Sequence, residues 1–205
     1  MKKYISILVL VIVALLLIGW SRGTFRTSNE PIDLGQEWHK GNPEAKVQLI
    51  EYSDFQCPSC AFYEPIVQQL ITDLEDQIYF TYRHFPLRSI HFNADLAARA
   101  AEAAGVQKKF WEMHDLLFEN QSEWANNDAR KHFEGYALEL NLDLDQFNKD
   151  IDSNEIKDKV KNQEKSALSM GALGTPTFFV NGDMISPNPQ TLDEFKLIIN
   201  QYQEK

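Results

Sequence analysis

The sequence predicts an α/β domain in which a strand–helix–strand start is separated by a helical insertion from a closing hairpin and helix, all preceded by an N-terminal transmembrane helix. Three observations point there. Residues 47–84 pass from an apolar strand through helical spacing to a second strand, residues 91–170 show helical spacing alone, and residues 177–185 return to strand character around Asn181-Gly182. With 205 residues and 43% hydrophobic side chains, the chain has material for one core and an appendage.

The appendage comes first. Tyr4 to Trp20 (YISILVLVIVALLLIGW) carries no charge and follows Lys2 and Lys3, the pattern of an export signal or signal anchor. Its 17 residues sit at the lower limit for crossing about 30 Å of hydrocarbon. Ser21-Arg22-Gly23-Thr24 offers no small-x-small cleavage site, so an uncleaved anchor is favoured over a cleaved signal, with the body outside the cytoplasm. The polar stretch 21–31 reads as a tether, which makes residues 1–26 anchor and tether. Lys2, Lys3, Arg22 and Arg26 meet no acid within those residues, so the net charge of −10 understates the acidity of the rest. An acidic body repels phosphate, and nucleic acid is excluded as a partner.

In the body, Gly41-Asn42-Pro43 is a turn signal, and Val47 to Tyr52 (VQLIEY) reads as a short buried strand. After Cys60, the residues Phe62, Ile66, Val67, Leu70, Ile71 and Leu74 keep helical spacing, with Pro65 expected to kink the helix. Ile78 to His84 alternates with period two, and the succession implies a parallel strand pair. Residues 32–90 are thus a first segment and 91–170 a helical insertion. Its alanine-rich start, Ala94 to Ala104, is expected to end at Gly105 as a C-terminal cap. Its last helix places Ile156, Val160, Gln163, Ala167 and Met170 on one stripe, with Asp152 and Glu155 spaced as a capping box variant. Residues 171–205 close the fold: Thr177 to Val180, the Asn181-Gly182 turn, Met184-Ile185, and a helix capped by Thr191 and Glu194 that buries Leu192, Phe195, Ile199 and Tyr202.

The cysteines carry the chemistry. Cys57 and Cys60 are the two in the chain, separated by Pro58 and Ser59 where a strand gives way to a helix. Unpaired N–H groups and the positive helix end favour a thiolate there, so Cys57 is the expected nucleophile, with a pKa lowered from about 8.5 to about 3.5–7.5. Cys60, one turn in, is the expected resolving thiol. Other readings stand beside this one. Structural zinc wants four ligands and the motif supplies two, with no His pair beside it. An inert disulfide closing so short a loop saves little chain entropy. A copper-handling pair differs from a redox pair in the alkylation rate of Cys57. No cofactor is called for by the redox reading.

EYSDFQCPSC, YRHFPL with His91, and GTPTFFVNG together resemble the DsbA-like thiol:disulfide oxidoreductases of the thioredoxin superfamily, over about Ile32 to Tyr202. The resemblance implies a thioredoxin-like fold with an inserted helical domain. It implies an exported enzyme that exchanges disulfides with thiol-bearing exported proteins and is reoxidised by a quinone-linked membrane partner. It implies that Thr175-Pro176 is a cis bond facing the cysteines, leaving the Thr175 backbone free to pair with an extended substrate and its hydroxyl near the thiolate. Glu51, on the strand face of Val47 and Leu49, is out of place as a charge; it matches the family's buried acid below the cysteines, able to take the Cys60 proton. Asp54 is expected to cap the turn, and His84 and His91 to be positioned rather than reacting. Ser59 stands where the family often has His, which removes one stabiliser of the thiolate and keeps a reductase or isomerase open as the direction. Residues 27–45 are too few for the separate dimerisation domain of an isomerase. The reading from another class is a peptide-binding or metal-delivery module on the same fold.

Overall fold

The computed structural model describes residues 33–204. The expected anchor lies outside them, and among the described residues no helix is long and apolar enough to cross a membrane. The expected strands form where the alternation places them. β1 (Trp38–Gly41), β2 (Val47–Ser53), β3 (Ile78–His84), β4 (Thr177–Val180) and β5 (Asp183–Met184) make one sheet in the order β1-β3-β2-β4-β5. β2 and β3 are parallel, as a strand–helix–strand unit requires, and the other pairings are antiparallel. β1 was not expected. WHKG shows no alternation and is half-buried throughout, an edge strand held by pairing with β3 rather than by its own pattern. Gly41 ends it at φ +86, where a Cβ would lie 2.3 Å from the Ile78 carbonyl oxygen, so the chain can turn there only as glycine. Asn181 and Gly182, both at positive φ, make the tight turn between β4 and β5.

Helix α1 (Pro58–Asp73) continues through Pro65. Its buried stripe is Cys60, Tyr63, Val67, Leu70 and Ile71, while Phe62, expected inside, is 55% exposed. Val67, Leu70, Ile71 and Leu74 are buried as the spacing predicts, and the difference is confined to the first turns: Tyr63 takes the core position there because its ring packs on Phe178 and Phe195 and its hydroxyl accepts from Gln190, satisfying the polar end.

The insertion consists of α2 (Ala94–Val106), α3 (Phe110–Glu119), α4 (Gln121–Trp124), α5 (Ala129–Glu139), α6 (Leu144–Ile151) and α7 (Asn154–Ser169). Alanine runs nearly all round α2, and such a helix belongs in the middle; α3, α5, α6 and α7 pack against it. Gly105 is not its cap. The helix runs on to Val106, and a Cβ at Gly105 would sit 2.3 Å from the Trp38 ring, which is stacked on Phe110 at 4.5 Å and donates to Glu102. Gly105→Ala adds helix propensity of about 1 kcal/mol at most, against an overpacking cost of about 1–3 kcal/mol on a ring that cannot retreat. The variant is therefore expected to unfold at lower urea; an unchanged or higher midpoint would show that Trp38 yields. At α7 the cap is Ser153, whose hydroxyl accepts from the Ile156 N–H, not the Asp152 spacing variant. The final helix, α8 (Leu192–Gln203), has its expected Thr191 cap and buries Phe195 and Ile199 beside α1, leaving Leu192 and Tyr202 partly exposed.

Candidate active site

β2 runs directly into the site. The Asp54 carboxylate accepts from the Gln56 N–H at 2.7 Å and the Leu87 N–H at 2.9 Å, and meets His91 Nδ1 at 2.7 Å. This turn delivers Cys57 as the N-cap of α1, with Pro58 in the first helical turn, where its missing N–H costs nothing. Pro58 and Ser59 are exposed, Cys57 is 7% exposed, and Cys60 is fully buried. Both cysteines are free thiols.

The pair is electrostatically split. Cys57 is lowered to about 5, first by the hydrogen bond from the Cys60 thiol, with smaller contributions from Thr175 and the Ser59 and Cys60 N–H groups, against the opposing effect of burial. Cys60 is pushed well above the ordinary thiol range, first by burial and then by its partner sulfur. Near neutral pH the outer sulfur is a thiolate and the inner one holds its proton.

The Thr175–Pro176 bond is cis, and the Thr175 carbonyl oxygen lies 3.5 Å from Cys57 Sγ. Thr175 is half-buried and Pro176 buried. A second cis bond, Ser186–Pro187, follows β5. Beneath the cysteines Glu51 is 1% exposed, and its carboxyl is raised to about 8 by burial first and the Glu64 carboxylate second. Sequence and structure thus bring Cys57, Cys60, Glu51, Thr175 and Pro176 to one place. Among the described residues neither cysteine belongs to a group of three or more potential metal donors.

Some positioning residues gave no sequence signal. Gln121, in the insertion, donates to the carbonyls of Phe55 and Cys57, and Gln56 donates to the Ala125 carbonyl while accepting from the Asn93 N–H. The insertion therefore clamps the cysteine turn from outside. His84 contacts Glu102 at 3.0 Å in full burial, a structural pairing like that of His91 with Asp54.

A dithiol with one stabilised and one buried sulfur at a helix N-terminus, beside a cis-proline at the entry to β4, defines a thiol:disulfide oxidoreductase of the thioredoxin superfamily. Residues 33–201 match the family described as Thioredoxin, and the chain belongs to it. Among solved structures it is similar to a thioredoxin-like oxidoreductase from Silicibacter pomeroyi DSS-3, with 25% identity and TM-score 0.72 over 87% of this chain and 99% of that one. BdbD from Bacillus subtilis shares the fold at 23% identity and TM-score 0.71, over 82% of this chain and 94% of that one. In sequence the chain is 43% identical over 152 residues to Na(+)/H(+) antiporter NhaA 1 of Salinispora arenicola, covering 74% of this chain and 22% of that protein. The chain thus spans about a fifth of the length of such curated relatives.

Proposed function

We propose that this protein is a membrane-tethered, extracytoplasmic oxidase that donates the Cys57–Cys60 disulfide to exported proteins. The observation that carries the reading is the depressed Cys57 pKa of about 5 beside a buried Cys60. A stabilised thiolate stabilises the reduced pair, which makes the disulfide form more oxidising. In the proposed cycle a substrate thiolate attacks Cys57 Sγ, and the Cys57–Cys60 bond breaks. Cys60 leaves as a thiolate and takes a proton from Glu51. A second substrate thiolate then attacks the substrate sulfur of the mixed disulfide, forming the substrate disulfide and releasing Cys57 as a thiolate. Thr175 and Pro176 hold the extended substrate segment beside Cys57 by strand addition. A quinone-linked membrane protein reoxidises the pair, within reach of an anchored body.

The test is the equilibrium of the pair against glutathione. A potential near about −180 mV or above is expected; one near about −270 mV assigns a reductase instead. Antiport belongs to the longer relatives and is not carried over.

A further inference from the structure

Four buried polar atoms near the cysteines, Glu51 Oε2, Ser53 Oγ, Tyr82 OH and His114 Nε2, lack a hydrogen-bond partner among the described residues. Among them only the Ser53 hydroxyl has a hydrogen-bonding influence on Glu51, Tyr82 and Cys60, so these buried atoms keep donor and acceptor capacity beneath the cysteines. They form a sequence in space. Glu51 and Tyr82 are direct neighbours across the β2–β3 ladder, and the Tyr82 ring meets the His114 ring edge-on at 4.8 Å. His114 Nε2 lies 3.7 Å from Glu64 Oε2, and its Nδ1 is 2.9 Å from Asp115 Oδ1. The two ends differ in depth: Glu51 is 1% exposed and the His114 side chain 2%, while Glu64 is 13% and Asp115 37% exposed. Glu64 and Asp115, bridged by the Gln68 amide, line a cleft of about 510 Å³ between α1 and α3.

We propose that Glu64 and His114 relay the proton exchanged between Cys60 and Glu51 to this cleft. The inference rests on the redox reading of the cysteines. When the mixed disulfide on Cys57 resolves inward, the Cys60 thiol gives its proton to Glu51 in the fraction of molecules whose carboxyl has already lost its own, about a tenth at pH 7 for a group at about 8. The Cys60 thiolate then bonds to Cys57 Sγ, and the foreign sulfur leaves with the electrons of its broken S–S bond. Glu51 is left protonated in a site closed to water. The proton passes to the Glu64–His114 pair, enters the ring at Nε2, and another leaves from Nδ1 to the Asp115 carboxylate in the cleft. When the enzyme disulfide is opened the flow reverses, Cys60 regains a proton, and the ring returns to its first tautomer.

The charges around the path suit this direction. Glu51 is faced by Cys60 and Glu64 from α1 and by Tyr82 from β3, and burial and the Glu64 charge hold a proton on it up to about 8. His114 is faced by Glu64 from α1 and by Tyr82 and His84 from β3, with Asp115 on its own helix. Asp115 is held below the usual carboxylate range by His114 and Lys40 of β1 despite burial, which makes it a poor final resting place and a good exit.

The test uses the reduced full chain and oxidised glutathione, in buffer containing EDTA. Acid quenching followed by mass measurement reads the lifetime of the glutathione adduct on Cys57. In Glu64→Gln and His114→Asn the lifetime is expected to lengthen about 10-fold or more. Added imidazole, a mobile proton carrier, should shorten it in the variants and not in the wild type. The equilibrium with glutathione should stay within about twofold of the wild type in both variants, since a relay changes rates and not end states. An unchanged lifetime, one insensitive to imidazole, or one that lengthens in step with the equilibrium overturns the relay. Should His114→Asn fail to fold, Glu64→Gln alone decides. If wild-type Cys57 forms no adduct at all, it is the oxidoreductase reading that fails.

Discussion

Replacing Cys57 with alanine is expected to abolish covalent capture of disulfide-bearing partners, while replacing Cys60 with alanine freezes them as adducts on Cys57. The asymmetry follows from depth: Cys57 keeps 7% exposure beside exposed Pro58 and Ser59, and Cys60 is fully buried behind it. At pH 7 a thiol with a pKa of about 5 is nearly all thiolate, about 30-fold more than a free cysteine. That gain in population is nearly cancelled by lower nucleophilicity, because attack rates fall with thiol pKa with a slope of about 0.4–0.5. The larger benefit is as a leaving group, when a second substrate thiol expels Cys57. Cys60→Ala should therefore accumulate adducts at close to the wild-type rate of first attack and release them far more slowly. Non-reducing gels of the full-length variants with a disulfide-bearing, unfolded protein read both outcomes: the Cys57 thiolate attacks a partner disulfide and one partner sulfur leaves as a thiolate. Adducts on the Cys57→Ala variant, or none on Cys60→Ala, would reverse the assignment of the two sulfurs.

Glu51→Gln is expected to stabilise the reduced protein and to slow it. A carboxyl at about 8 in the folded state and near 4.5 in the unfolded one binds more protons when folded. Its native environment therefore costs nothing below the unfolded value. The penalty grows as pH rises, because the unfolded chain ionises and the folded one does not, and it is complete above about 8. Relief of the penalty by glutamine should be under about 1 kcal/mol at pH 5 and about 3 kcal/mol at pH 7. The titration of Cys57 is common to both proteins and drops out of the difference. Urea unfolding of the reduced forms at the two pH values measures it, and a gain that does not grow with pH would place Glu51 in water. The same substitution removes the proton acceptor for Cys60, so the Cys57 mixed disulfide should persist about 100-fold longer, in line with general-base contributions of about 10²–10⁴. A stabilised and slowed enzyme is the signature of a strained functional group; a stabilised enzyme of normal speed would leave the carboxylate without a part in the exchange.

Legibility in the sequence followed locality. The runs around Val47–Ser53, Ile78–His84 and Thr177–Val180 declared themselves because each buried strand carries its own apolar pattern. β1 did not, because an edge strand of four half-buried residues is specified by the partner it pairs with. Phe62 and Tyr63 show the same limit on a helix: spacing gives the stripe, but which neighbour turns inward depends on Phe178, Phe195 and Gln190 far along the chain. Gly105 read as a stop signal and is instead a notch for Trp38. The helical spacing that sets His114 with Phe110, Met113 and Leu117 gives its burial, but neither His114 nor Gln121 carries a local mark of its part in the site, since that lies in the carboxylate of Glu64 and the carbonyl of Cys57 that other elements bring to them.

What the sequence determined by itself is the placement of two thiols at the mouth of a helix, because strand end, turn, proline and helix are written within a few neighbouring residues. What the tertiary structure alone decided is how different those thiols are. Desolvation and the approach of Thr175, 118 residues away, depend on packing among distant segments, and it is burial that keeps the protons on Cys60 and Glu51 while Cys57 gives its own up.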